Sequence, residues 1–224
     1  MISEYIENLT RAFDNQRNDS IAQQQKSYLK GQFEFFGLKT PLRREIQKPF
    51  FRPEYLPTKS EAIQITKILW EKPEREFHYF GQELMMQFKN KLDEEDLEFI
   101  EYMITHNSWW DTVDMIASHI AGAYFKKYPG KKRELMLRWS ISDHMWIRRT
   151  SIIFQLKYKD ETDKELLAQV IENNLGSKEF FINKAIGWAL RTYSAIDPEW
   201  VKEFVENHQN LSHLSKKEAL RSIS

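Results

Sequence analysis

Apolar side chains recur along almost the whole chain at the spacing of an amphipathic α-helix. That spacing gathers them on one helix face, because an α-helix has about 3.6 residues per turn. No segment alternates apolar and polar residues as a half-buried strand does, and glycine and proline are scarce at 7 residues each. The pattern predicts an all-α protein with short connections. The clearest stripes are Ile2/Ile6/Leu9/Phe13, Leu97/Ile100/Ile104, Leu166/Leu167/Val170/Ile171 and Trp200/Val201/Phe204/Val205.

Several helix starts are marked by side chains that accept hydrogen bonds from the free backbone N–H groups of a first turn. A capping box adds an acidic residue three positions later, which bonds back to the start of the helix. These marks divide the apolar stripes into separate helices. The predicted starts are Ser60, Asp93 and Asp197, with capping boxes at Ser108/Asp111 and Ser215/Glu218.

An aromatic residue opens an apolar helix at evenly spaced positions. Trp109 is followed after 37 residues by Trp146, and Phe181 comes 35 residues later, while Glu76-Phe77 forms an earlier copy. Two helices in about 35 residues are typical of HEAT-like or armadillo-type repeats, whose antiparallel helix pairs stack into a curved solenoid. We therefore predict a single HEAT-like repeat domain over residues 1–224.

Overall charge does not identify a partner. The chain has 33 basic and 33 acidic residues and a formal net charge of zero, whereas a nucleic-acid binder is usually basic. The basic residues are nevertheless grouped, and a basic concave face on a neutral protein can still attract a phosphate backbone. The alternative, that these groups are only solvated helix faces, stays open. The groups are Arg43/Arg44, Lys126/Lys127, Lys131/Lys132/Arg133, Arg148/Arg149, Lys157/Lys159 and Lys216/Lys217.

The composition excludes several classes of protein. The chain has no cysteine, which excludes disulfides and thiolate chemistry and fits a reducing compartment. No apolar run approaches the roughly 20 residues of a membrane span, and the first residues do not resemble a signal peptide. The histidines lack metal-site spacing, and no glycine-rich nucleotide loop occurs. We predict a cytoplasmic protein with no metal, no cofactor and no membrane association.

One group of residues has the chemistry of a site. Asp114 follows Trp110 by four positions, so the two share one face of a helix. An aromatic ring beside a carboxylate favours a ligand that is cationic or develops positive charge. Arg149 and Trp188 lie in the next two predicted repeats, so the solenoid would put all four on one surface.

Each of these residues also has a plainer interpretation. Trp188 is a core residue if its helix is buried. Arg148 or Arg149 can pair with an acid on a neighbouring helix, and Asp114 can be that acid. Gly187 precedes Trp188 and costs a helix about 1 kcal/mol relative to alanine. It therefore indicates either close helix packing or room for a ligand beside the ring.

Five separated segments resemble, in order, the AlkD-type DNA alkylation repair glycosylases. The similarity extends from about residue 20 to the C-terminus. It implies a solenoid of HEAT-like repeats that removes positively charged N3- or N7-alkylated purines from duplex DNA without a base-flipping pocket. The segments are Phe35–Arg44, Trp70–Phe77, Ser108–Asp114, Trp146–Lys159 and Ser177–Arg191.

The resemblance also implies site residues. The family's functional positions fall on Trp110, Asp114, Arg149 and Trp188, which we expect to be catalytic. In this hypothesis Asp114 stabilises a cationic transition state and orients water, the two tryptophans pack against the sugar–phosphate backbone, and Arg149 binds a phosphate. Further DNA contacts are predicted at Tyr28, Lys39, Arg148, Lys157 and Lys159.

The expected partner is duplex DNA containing alkylated purines, bound by a monomer with no obligate protein partner. Two alternatives stay open at this point. The first is a non-catalytic HEAT-like module that binds damaged or branched DNA, in which Asp114 has no chemical role. The second is a protein–protein scaffold, the commonest use of helical solenoids. Salt-sensitive DNA binding and base release distinguish the three functions.

Overall fold

The computed structural model describes residues 2–223, and they form an all-helical chain. No β-strand occurs in that range, where the bridge between Glu34 and Glu74 is isolated. The prediction of an all-α fold is thus confirmed. Contacts divide the chain into two compact units, Met1–Lys91 and Leu92–Ser224, called here the N-terminal and C-terminal units. The single repeat domain, the curvature of the solenoid and its basic concave face stay predictions.

The N-terminal unit has its closest helix packing between α4 (Lys59–Trp70) and α5 (Arg75–Met86). A buried carboxylate organises the loop that precedes α3 (Thr40–Gln47). Glu76 on α5 is fully buried and accepts the backbone N–H groups of Phe36, Gly37 and Leu38 at 3.0–3.1 Å. Burial raises the pKa of Glu76 despite these three donors. The helices are α1 (Ile2–Asp14), α2 (Asp19–Tyr28), α3 (Thr40–Gln47), α4 (Lys59–Trp70) and α5 (Arg75–Met86), with a 3₁₀ turn at Lys48–Phe51.

The C-terminal unit consists of consecutive helix pairs. The second member of the first pair is one continuous helical run that contains a six-residue π-helix, Ile116–Ala121. Such widened turns are rare and are often found at functional sites. The remaining elements are α6 (Leu97–Thr105), α7 (Trp110–Met115), α8 (Gly122–Lys127), α9 (Pro129–Ser140), α10 (Met145–Ile153), α11 (Lys164–Glu172), α12 (Phe180–Tyr193), α13 (Pro198–Asn207) and α14 (His213–Ala219).

The repeat predicted from the sequence is visible in the hydrogen bonds of the C-terminal unit. Side chains that join neighbouring pairs connect residues separated by 33–38 positions. That separation matches the spacing of Trp109, Trp146 and Phe181, so equivalent positions of successive repeats meet in space. The connected residues are Trp139/Glu101, Arg149/Asp114, Tyr158/Gly122, Asn173/Ser140 and His208/Glu172.

Two predicted helix starts are correct. Asp93 begins a 3₁₀ turn with a capping box, and the Asp197 side chain accepts the N–H of Trp200 at the start of α13. The start at Ser60 is wrong by two residues, because Thr58 caps α4 in a box with Glu61.

Both capping boxes predicted in the C-terminal unit are wrong. Ser108 Oγ donates to the carbonyl of Ile104, at the end of the preceding helix, and α7 has no side-chain cap. Ser212, and not Ser215, caps α14. A serine-to-acid spacing does not identify a cap, because the side chain must also stand at the point where the backbone enters the helix.

Candidate functional site

Asp114 and Arg149 form a two-point ion pair in the C-terminal unit. Arg149 Nε donates to Asp114 Oδ1 at 2.7 Å, and Nη2 donates to Oδ2 at 2.9 Å. Parallel contacts of this kind fix both side chains, because the planar guanidinium matches the two carboxylate oxygens. The pair joins α7 to α10, so the plainer interpretation of an inter-helix ion pair holds for these two residues.

The pair is unequally buried. The Arg149 side chain is 3% exposed, whereas Asp114 keeps 19% of its side chain exposed. Burial raises the pKa of Asp114, a nearby Asp111 adds to that rise, and the Arg149 guanidinium opposes it. The carboxylate is therefore more basic than an ordinary aspartate, held in one orientation, and still reachable from solvent.

Trp110 lies one turn before Asp114 on α7 and is part-exposed. The carbonyl of Asp114 accepts a hydrogen bond from Ser118 Oγ at 2.7 Å, where the π-helix begins. Asp114 thus lies between the first turn of α7, which carries Trp110, and the π-helix that follows. The predicted shared helix face of Trp110 and Asp114 agrees with their positions on α7.

Trp188 belongs to a third helix. It is part-exposed on α12, two turns after Phe181, which corresponds to about 10 Å along the helix axis. The Phe181 carbonyl accepts a hydrogen bond from Arg149 Nη1. Arg149 therefore connects the helix of Asp114 with the helix of Trp188.

Gly187 is explained by close packing. A Cβ atom at this position would lie 2.5 Å from Glu218 Cβ and 3.0 Å from the Ser215 carbonyl oxygen, both on α14. α12 and α14 accordingly form the closest helix pair of the C-terminal unit. Of the two interpretations of this glycine, helix packing is correct, and the space beside Gly187 is occupied by α14.

Comparison with known proteins adds the family. Residues 9–223 match the family described as DNA alkylation repair enzyme. This chain belongs to the DNA alkylation repair enzyme family. A solved structure described as a predicted DNA alkylation repair enzyme from Enterococcus faecalis is similar at 29% sequence identity with a TM-score of 0.86, over 93% of this chain and 97% of that chain. A comparison with curated proteins gives no match.

Membership of the alkylation repair family confirms the resemblance inferred from the five sequence segments and supports a role in the repair of alkylated DNA. The similar structure also agrees with the predicted all-α fold of helical repeats. Among residues 2–223, no helix is both long and apolar enough to cross a bilayer. Within the same range, the His, Asp and Glu side chains form no group suited to holding a metal ion.

The predicted DNA contacts lie in both units of this family member. Tyr28, 71% exposed at the end of α2, and Lys39, exposed just before α3, belong to the N-terminal unit. Lys157 and Lys159 are exposed after α10 in the C-terminal unit. Arg148 is part-exposed, and its buried Nε has no hydrogen-bond partner. Of the predicted site residues, the structure brings Asp114 and Arg149 into direct contact.

Several of the grouped basic residues are ion-paired. Lys126 contacts Glu161 at 2.7 Å, and Lys131 contacts Glu94 at 2.6 Å. These pairs again connect neighbouring repeats, so part of the basic clustering stabilises the stack of helices. Surface pairs of this kind contribute little to stability, because solvent screens them. They also lower the net positive charge that is available to a phosphate backbone.

Three residues of the site region were not predicted to act together. The rings of Trp109, Trp146 and Phe181 form one cluster with centroid distances of 5.7, 5.4 and 5.0 Å. Their equal spacing in the sequence identified the repeat. The same spacing could also have predicted the ring contacts, because equivalent positions of stacked repeats lie beside each other.

Proposed function

We propose that this member of the alkylation repair family is a monofunctional DNA glycosylase. Its substrates would be cationic N3- or N7-alkylated purines in duplex DNA, and its reaction the hydrolysis of their N-glycosidic bond. The observation that carries this proposal is the Asp114 carboxylate, which is held through both oxygens by buried Arg149 yet remains partly exposed, one turn from part-exposed Trp110.

A single carboxylate suits this substrate class. Glycosidases commonly use two, one of which protonates the leaving group. A purine alkylated at N7 or N3 already carries a positive charge, so the bond to C1′ can break with its electron pair going to the base, which becomes neutral. No protein acid is then needed on the leaving group, and the transition state has oxocarbenium character at the sugar.

Asp114 would promote the hydrolysis in two ways. Its negative charge stabilises the oxocarbenium, and the fixed carboxylate orients a water molecule toward C1′ and accepts its proton as the new C–O bond forms. The raised pKa of Asp114 strengthens it as a proton acceptor. Trp110 would present its ring to the sugar and the developing cation. Trp188, on α12, would pack against the sugar–phosphate backbone of the DNA strand.

Arg149 is better suited to positioning Asp114 than to binding a phosphate. Its side chain is 3% exposed, and its N–H groups already reach both Asp114 oxygens and the Phe181 carbonyl. We therefore assign to Arg149 the role of orienting the carboxylate. Backbone phosphates would instead be bound by the other predicted DNA contacts, which are Tyr28, Lys39, Arg148, Lys157 and Lys159.

The experiment that tests this function is base release from duplex DNA containing 7-methylguanine, measured together with DNA affinity at several salt concentrations. We expect the free methylated base as product and salt-sensitive binding. Salt-sensitive binding without base release would favour the non-catalytic DNA-binding module, in which the Asp114–Arg149 pair is only structural. Absence of both would favour the protein–protein scaffold.

A further inference from the structure

Arg149 is held from two sides. On one side it contacts both oxygens of Asp114, and on the other its Nη1 donates to the carbonyl of Phe181 in the first turn of α12. Its guanidinium carbon also lies 5.9 Å from the centre of the Phe181 ring. The orientation of Arg149 against Asp114 therefore depends on where the first turn of α12 is placed.

The first turn of α12 is placed by aromatic packing. The Phe181 ring lies 5.0 Å from the ring of Trp146 and 5.4 Å from that of Trp109. Trp146 is 7% exposed on α10, the helix that carries Arg149. Aromatic pairs at such separations stabilise a structure beyond the effect of the area they bury. The cluster therefore holds three helices in a fixed arrangement.

Trp109 ties the cluster to the helix of the carboxylate. It is the residue at which α7 begins, immediately before Trp110, and α7 has no side-chain cap. The buried indole N–H of Trp109 has no hydrogen-bond partner, so this ring contributes by packing. The start of α7 is thus located by its contacts with Trp146 and Phe181, and Asp114 follows one turn later.

We propose that Phe181 is a positioning residue for the Asp114–Arg149 pair, with its ring held by Trp109 and Trp146 and its carbonyl holding Arg149 against the carboxylate. This inference rests on the proposed glycosylase function. It assigns to Phe181 no contact with the substrate. Loss of the ring would let the first turn of α12 shift, and Arg149 would lose its hydrogen bond to the carbonyl of residue 181.

The test is the single-turnover rate of 7-methylguanine release by Phe181→Leu at saturating enzyme. We expect a fall of about 10–100-fold, since a displacement of about 1 Å in a positioned group has an effect of that order. DNA affinity should change by less than about threefold, because Phe181 touches no predicted DNA contact. Phe181→Tyr, which keeps the ring, should restore the rate.

The pH dependence separates positioning from a loss of folded protein. The charged groups that act on Asp114 are Arg149 on α10 and Asp111 on α7. If Arg149 is released, its lowering effect on the pKa of Asp114 weakens while burial persists. The acid limb of the Phe181→Leu rate profile should therefore move to higher pH, whereas a smaller folded fraction leaves the acid limb in place as long as the folded enzyme still saturates the DNA.

Phe204→Leu is the matched control. Phe204 is also a buried ring in an aromatic row of the C-terminal unit, 5.1 Å from Trp200 and 4.0 Å from His208. This variant should lose stability but keep the wild-type acid limb and the wild-type rate per folded molecule. If Phe181→Leu behaves like Phe204→Leu while the wild type releases the base, the positioning role is wrong. If the wild type itself releases no base, the proposed function has failed instead.

Discussion

Glu76 in the N-terminal unit and Asp114 in the C-terminal unit are both carboxylates whose pKa is raised by burial, but their surroundings differ. Glu76 is fully buried and accepts backbone N–H groups from the loop of residues 36–38. Asp114 keeps 19% of its side chain exposed and is held by one guanidinium. The first carboxylate organises a loop, whereas the second is fixed on one side and open on the other.

The comparison shows that a raised pKa alone does not mark a functional carboxylate. Both groups have the shift that is common at active sites. The two groups differ in how far a ligand can reach the carboxylate. The Glu76 oxygens are enclosed by backbone N–H donors, which cannot move away unless the loop unfolds. At Asp114 the donor is a side chain on one edge, and solvent or a substrate can approach the other. The candidate site is distinguished by the Asp114 carboxylate, which is both partly exposed to solvent and fixed in orientation.

The largest effect is expected for Asp114→Asn. The amide keeps the shape but removes the charge that stabilises the oxocarbenium, so single-turnover release of 7-methylguanine should fall by at least about 100-fold. DNA affinity should stay unchanged or increase, because a negative charge is lost. The matched control is Asp111→Asn, on the same helix, which should retain excision. Equal losses in the two variants would remove the special role of Asp114.

A smaller effect is expected for Arg149→Met. Excision should fall by about 10–100-fold because the carboxylate loses its orientation. Since burial then raises the pKa of Asp114 without opposition and the ionised carboxylate is the active form, the rate should begin to fall at a higher pH than in the wild type. The measurement is the rate profile against pH, with exposed Arg138→Met as control.

The same Arg149→Met variant tests the phosphate role inferred from the family resemblance. A lost phosphate contact lowers the slope of log affinity against log salt by about one unit. The burial of Arg149 predicts an unchanged slope. A slope reduced by one unit would show that Arg149 contacts the backbone.

Glu76→Gln should lower the stability of the protein and leave the rate of base release unchanged. An amide has one accepting oxygen where Glu76 has two, so at least one buried N–H of residues 36–38 loses its acceptor. The expected cost is about 1–3 kcal/mol in the free energy of unfolding, measured by urea denaturation. Because the folded pKa of Glu76 is raised, the wild-type contribution of this group declines as pH rises from the ordinary glutamate range through the raised value. An unchanged unfolding midpoint would contradict the structural role of Glu76.

The smallest effect is expected for exposed lysines of the two units. Lys39→Gln and Lys157→Gln should each reduce the salt slope of DNA binding by about one unit or less. Lys131→Gln, whose side chain is paired with Glu94, is the control and should change the slope less. A response to Lys157→Gln alone would restrict DNA contact to the C-terminal unit.

The sequence predicted the fold well because the signals were local or periodic. Apolar stripes identified the helices, and the spacing of Trp109, Trp146 and Phe181 identified the repeat that their ring contacts now explain. Helix boundaries were less predictable. Ser108 and Ser215 have capping-box spacing, but α7 has no side-chain cap and Ser215 stands three residues after Ser212, which caps α14. No local sequence pattern predicted the π-helix that follows Asp114.

The sequence offered both members of the Asp114–Arg149 pair but not the geometry that joins them. The sequence could place Asp114 and Arg149 on one surface, yet the choice between a phosphate contact and an ion pair depends on the distance between α7 and α10. That distance is set by packing between residues 35 positions apart. Similarly, Gly187 carried two interpretations until the position of α14 was known. Long-range packing revealed the ion pair and the close helix contact at Gly187, and the phosphate role of Arg149 stays a prediction.

The most direct test of the central claim compares the two buried carboxylates in one assay. Single-turnover release of 7-methylguanine is measured for the wild type, Asp114→Asn and Glu76→Gln, with folded enzyme in saturating excess over the DNA so that a smaller folded fraction does not lower the rate. We predict wild-type rates for Glu76→Gln and at least about a 100-fold loss for Asp114→Asn. Excision that survives in Asp114→Asn, or is lost equally in both variants, would contradict the assignment of the site to Asp114.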